Sequence, residues 1–206
     1  MKPLVPIAVF ILLAVIAGLG FIYSGTFNVG ATVPDSSLMH WVLSTTGDRS
    51  VAHHAIGIVP PNNLDNPEVI RAGFGKYRND CAMCHGTPGN YPAVVGKGLN
   101  PKPPKLAESA KDMSPAEMYW VVTNGIKMTG MPSWSYTEPD AWSVVAFVKQ
   151  LPKMTEQQYQ EMKQSAEHDP AAEKQQRLAS EPTWQPERLR YRPGHRTCGS
   201  TCCPPP

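Results

Sequence analysis

Residues 81–85 read Cys-Ala-Met-Cys-His, and no other stretch restricts the fold as much. Two thiols three positions apart, with an imidazole directly after the second, are chemistry that holds a metal, a redox couple or a cofactor. The flanking sequence is helical. Asn66-Pro67-Glu68 is an N-cap, a proline at the first helical position and an acid in the first turn. Val69, Ile70, Phe74 and Tyr77 then recur at helical spacing, so a helix is expected to run straight into Cys81. Gly73 and Gly75 inside it weaken the helix by up to ~1 kcal/mol each relative to alanine. Glycines so placed let another backbone approach.

Residues 86–112 are rich in proline and glycine and read as loop. Ser114-Pro115-Ala116-Glu117 is a capping box opening a short helix, Met118 to Asn124, with Gly125 as its C-cap. The loop "GIKMTGMPSWSY" follows. Thr137 is the expected cap of a last helix, whose apolar face is Trp142, Val145, Phe147 and Val148 and which ends at Leu151-Pro152. The unit from 65 to 152 is therefore all-α, with short helices and long loops. That is too little regular structure to close a core unaided, so something else is expected to fill its centre.

Outside this unit the chain changes character. Pro3 to Tyr23 carries no charge, close to the ~20 apolar residues a helix needs to cross a bilayer. Lys2 precedes it, which places the N-terminus in the cytoplasm and exports the rest. A cleaved signal peptide has a shorter apolar region, ~7–15 residues, and a soluble core helix keeps a polar face, so residues 1–23 read as an uncleaved anchor. Residues 24–64 read as a polar, irregular linker. Residues 153–206 open with a composition that favours helix but offers almost no apolar stripe, end in a proline- and arginine-rich stretch, and read as a solvated or disordered tail. A net charge of +2 with no aromatic-basic interleaving gives no pull toward nucleic acid, and none is expected as a partner.

Three chemistries compete for the Cys-Ala-Met-Cys-His stretch. A structural zinc site needs four ligands, and the only other cysteines, Cys198, Cys202 and Cys203, stand at the far end of the tail. Thiol–disulfide exchange uses a CxxC at a helix N-terminus in a βαβ setting; here the pair closes a helix and no strands alternate with it. CxxCH is also the attachment signature of c-type haem. Two thiols add across the porphyrin's two vinyl groups and the adjoining His85 ligates iron. A low-spin electron-transfer haem takes a second axial ligand, and a thioether raises its potential. Met131, between Gly130 and Pro132, is that ligand; Met128 is its rival and reads better as a loop plug.

With these residues in view, 65–152 resembles a class I c-type cytochrome, near the small monohaem group that includes the haem subunit of cbb3-type oxidases. "GFGKYRNDCAMCHG" resembles that family's first helix and attachment motif, with Gly73 and Tyr77 at the helix crossing. "NGIKMTGMPSW" resembles its methionine loop and "EPDAWSVVAFVKQLP" its last helix, with Phe147 in the usual aromatic position. The resemblance implies a helical bundle around one covalent haem c, thioethers at Cys81 and Cys84, and His85 and Met131 on the iron. It also implies that the carbonyl of Pro103 or Pro104 accepts the His85 ring N–H, and that Leu106 and Trp134 wall the pocket.

The expected function is a membrane-anchored periplasmic electron carrier with protein redox partners. The alternatives are a cytochrome subunit of a membrane dehydrogenase or terminal oxidase, and a haem enzyme or gas sensor with an open sixth position. Lys97, Lys102 and Lys105 are a candidate rim for steering an acidic partner. His53-His54 reads as a solvated pair and not a metal site, with His40, His168 and His195 weaker still. Cys198, Cys202 and Cys203 are an odd set for an oxidising compartment.

Overall fold

The structure is a computed structural model and describes residues 4–167. Residues 4–163 group as one unit, and the last described residues, 164–167, fall outside it. Among the described residues every regular element is helical, apart from one isolated bridge between Thr87 and Asn90. In chain order the helices are α1 (Leu4–Tyr23), α2 (Ser37–His54), α3 (Pro67–Lys76), α4 (Ala82–His85), α5 (Leu106–Ser109), α6 (Pro115–Asn124), α7 (Glu138–Val148) and α8 (Glu156–Glu167).

The core is the crossing of α3 and α7. A Cβ on Gly73 would lie 1.8 Å from the Ser143 carbonyl oxygen, so only glycine lets the two backbones touch there. Around that point Phe74 and Phe147 meet edge-on at 5.4 Å and Tyr77 packs on Phe147 at 4.9 Å. Phe74, Tyr77, Val144, Val145 and Phe147 are all at most 1% exposed. The whole run from Ala141 to Val148 is buried, more of α7 than its expected apolar face. Gly75 differs from its sister glycine: a Cβ there would meet nothing within 4 Å, so it marks no close approach.

α6 begins as its sequence predicts. The Ser114 hydroxyl accepts from the Glu117 N–H at 3.3 Å and the Glu117 carboxylate accepts from the Ser114 N–H at 2.7 Å. α6 then packs on α7, with Tyr119 stacked on Trp142 at 4.2 Å. Thr137 occupies the N-cap position of α7 but makes no capping hydrogen bond to its backbone. Thr137 acts instead on the nearby Asp140 carboxyl. With the Lys76 ammonium 3.0 Å away, that holds Asp140 below the usual carboxylate range.

Two expectations are corrected. The linker is not irregular throughout, because residues 37–54 form α2. Ser36 caps it by accepting the Met39 N–H at 3.2 Å. Nor is the tail uniformly solvated: α8 seats Tyr159, 2% exposed, against Phe74 at 5.3 Å and Phe147 at 6.5 Å. Cys198, Cys202, Cys203, His168 and His195 lie outside the described residues. α1 is the one described helix long and apolar enough to cross a membrane, and none of it is buried.

Candidate functional site

The Cys81–His85 stretch is placed by an irregularity in the first core helix. α3 ends at Lys76, and Tyr77–Cys81 forms a π turn that hands the chain to α4. Such turns insert one extra residue into a helix and recur at functional sites. Tyr77 fixes the far end of α4. Its buried hydroxyl donates to the Gly86 carbonyl at 2.6 Å, directly after His85, and burial pushes its pKa up. Asp80 is held from the other side by the Tyr136 hydroxyl, which donates to Oδ2. Burial and that bond raise the Tyr136 pKa.

Cys81 is buried, Cys84 is half-buried, and both thiols are free. Burial, with Asp80 and Cys84 adding to it, pushes the Cys81 thiol up to about 12. A redox-exchange cysteine needs the opposite shift. Among the described residues no group of three His, Cys, Asp or Glu side chains is gathered where it could hold a metal ion.

His85 has a defined tautomer. Its Nδ1 lies 2.9 Å from the Pro104 carbonyl, and a carbonyl only accepts, so Nδ1 carries the proton and Nε2 keeps the lone pair. Burial lowers the His85 pKa, with the Pro104 carbonyl acting against it; the net direction favours the neutral, ligating ring. Of the two prolines expected to serve here, Pro104 makes the bond. The Pro103 carbonyl is occupied by the Tyr91 hydroxyl at 2.8 Å. Tyr91 thereby braces the segment that orients His85, a role its sequence context does not signal.

The methionine loop is equally constrained. Met131 accepts the Ile126 N–H on its carbonyl at 3.1 Å, closing the loop. Thr129 sits inside it: its hydroxyl donates to the Ile126 carbonyl at 2.8 Å and accepts the Met131 N–H at 3.1 Å. The Trp134 N–H donates to the Val122 carbonyl of α6 at 3.1 Å. Met131 is half-buried, whereas Met128 has φ 59° and is 78% exposed. Leu106 is half-buried in α5.

Residues 96–104 bring these pieces together. A Cβ on Gly96 would lie 2.3 Å from the Cys84 carbonyl, so this strip runs directly against α4. Three residues on, Leu99 packs on Gly130 of the methionine loop, where a Cβ would come within 2.7 Å of its side chain. Pro104 then bonds His85. The attachment helix and the methionine loop thus share one scaffold.

Residues 68–148 match the family described as cytochrome C oxidase, cbb3-type, subunit III. This segment is a class I c-type cytochrome domain. Among curated proteins none matches the chain. The match spans both crossing helices, the Cys81–His85 stretch and the methionine loop, and a domain of this family carries a covalently bound haem c. The residues present fit that group. Two free thiols stand one helical turn apart, and His85 offers an unprotonated Nε2. The Trp134 indole N–H is buried with no acceptor among the described residues, and a haem brings carboxylates of its own. Trp134 stacks on Tyr136 at 5.6 Å.

Proposed function

We propose that this chain is a membrane-anchored, periplasmic monohaem cytochrome that carries single electrons between protein partners. Residues 4–23 anchor it in a bacterial inner membrane. Cys81 and Cys84 form the two thioethers, and His85 and Met131 ligate the iron. The observation that carries this reading is the shared scaffold: residues 96–104 touch Cys84, the methionine loop and His85 in turn.

When bound, haem supplies a one-electron couple between ferric and ferrous iron. The chain contributes orientation, ligand character and burial. Pro104 keeps the proton on His85 Nδ1 and aims the ring, which also raises the basicity of Nε2. Thr129 fixes the backbone that presents the Met131 sulfur, a soft ligand that raises the potential above that of a second histidine. Met128 points to solvent in a strained conformation and leaves the axial role to Met131.

The matched family favours one further reading. Its model describes an oxidase subunit, so this haem could serve an active site in another chain of a membrane dehydrogenase or terminal oxidase. Co-purification of stoichiometric partner chains from mildly solubilised membranes separates a subunit from a free carrier.

The primary test is the reduced-minus-oxidised absorption spectrum of the membrane-extracted full chain, beside Met131→Ala and Met128→Ala. The expected result is a c-type spectrum that survives acid-acetone extraction. The methionine-to-ferric-iron band should vanish in Met131→Ala alone. Carbon monoxide binding to the native ferrous protein at neutral pH would instead show an open sixth position and overturn the ligand assignment.

A further inference from the structure

Away from α1, large exposed apolar side chains crowd onto the first half of α2. Leu38, Trp41 and Met39 are 70%, 63% and 45% exposed, and Val42 and Leu43 are 42% and 38% exposed. The second half of the same helix is docked. Val51 is 7% exposed and His54 lies 5.5 Å from Trp120 of α6. α2 is therefore seated at one end on the cytochrome domain and projects an apolar end away from it. Five such side chains on two turns form a patch that needs a cover.

The chain itself says what lies near. Residues 24–36 join α1 to α2, a leash of at most about 45 Å when fully extended. It is shortened by turns: the Ser24 hydroxyl bonds the Phe21 carbonyl at 2.7 Å, and Asn28 accepts the Gly30 N–H at 2.8 Å. Asn100 of the scaffold strip bonds the Val33 carbonyl at 3.0 Å, so the leash is also pinned to the domain. From Ser24 to Gly47 the only charged side chain is Asp35. Phe21, Tyr23 and Phe27 flank the end of α1 and Trp41 follows on α2, the aromatic types that gather at membrane–water boundaries.

We propose that the first half of α2 lies in the headgroup–acyl boundary of the membrane that α1 spans, and that it clamps the cytochrome domain to the bilayer surface. The inference rests on reading α1 as an anchor. The buried face holds no lysine or arginine, so insertion is apolar and independent of anionic lipid, unlike basic interfacial helices. Its consequence is a haem that cannot swing freely on a tether and that meets partners within or beside the bilayer.

The test is photo-crosslinking in the haem-loaded full chain, reconstituted in vesicles of zwitterionic phosphatidylcholine. A benzophenone amino acid replaces Leu38, Trp41 or, as control, Arg49, which is exposed on the docked half of α2. Phospholipid adducts at positions 38 and 41 are expected at several times the yield at 49, unchanged when anionic lipid is added or salt is raised. Adducts to protein, whether a second copy or another chain, overturn the proposal, as does a yield no higher than at 49. If the chain fails to co-sediment with vesicles at all, the anchor reading falls instead. Trp41→Glu gives a second readout that needs no crosslinker. Faster amide exchange over residues 37–44 in vesicles, with the c-type spectrum intact, is expected; exchange identical to that of the parent chain counts against the clamp.

Discussion

Thr129 shows how one residue can govern the proposed axial ligand through its backbone. Its hydroxyl serves both the Met131 N–H and the Ile126 carbonyl, and valine keeps the shape while removing both bonds. Each is worth about 1 kcal/mol net, and about 1.4 kcal/mol is tenfold in an equilibrium. Thr129→Val should therefore favour detachment of the Met131 sulfur by about thirtyfold if both bonds are lost at full value. The ferric methionine band should disappear on alkaline titration at a pH about 1.4 units lower. An unmoved midpoint would show that the loop holds the sulfur without Thr129. The Cys81–His85 stretch and the methionine loop stood out in the sequence because each is a short pattern, and a proline carbonyl as partner of His85 followed from the family resemblance; Pro104 is that partner. Thr129, Tyr91, Gly96 and the Tyr136–Asp80 pair did not stand out. The last of these joins positions 56 residues apart, and no local pattern encodes such a contact.

Among the elements, α8 tests where the core ends. Its residues are almost all polar, yet Tyr159 is 2% exposed and rests on both Phe74 and Phe147. Removing a buried aromatic ring costs about 3–5 kcal/mol, so Tyr159→Ala should destabilise the haem-loaded chain by roughly 3 kcal/mol in guanidinium unfolding. A cost below about 0.5 kcal/mol, the range of ordinary surface changes, would mean that α8 is not part of the core. The crossing helices were readable in advance because their apolar residues repeat with the helical period and their starts carry caps. The α2 helix, and the docking of α8 on the core, were not expected, for different reasons. The apolar side chains of α2 form one short cluster in its first half, too brief to set a helical period, while α8 buries too few residues to set one. Gly73 and Gly75 show the limit of the same signal. Both are helix glycines, but only Gly73 faces the Ser143 carbonyl, and facing is a tertiary fact.

For the whole molecule, charge is distributed by function more than by count. The net charge is only +2, yet residues 81–107 and 125–137, which hold the attachment stretch, the scaffold strip and the methionine loop, contain Lys97, Lys102, Lys105 and Lys127 and no Asp or Glu. Lys105 is tied to Glu108 at 3.0 Å, which removes it from the expected rim. Lys97 and Lys102 have no ion pair among the described residues. Exposed apolar side chains accompany them: Met83, Val94 and Val95 are 52%, 85% and 43% exposed. Unpaired lysines in an acid-free region attract anionic reactants at long range, and salt with a Debye length of about 10 Å at 0.1 M weakens the attraction. The rate of oxidation of the ferrous protein by ferricyanide should therefore fall as salt rises, while oxidation by a cationic cobalt complex should speed up. In Lys97→Glu/Lys102→Glu the ferricyanide rate at low salt should drop severalfold, and the difference from the parent chain should fade at high salt. Equal salt dependence for the two reagents would show that these lysines steer nothing. A double variant that slows both reagents alike at every salt concentration would point to a damaged site instead of a lost field.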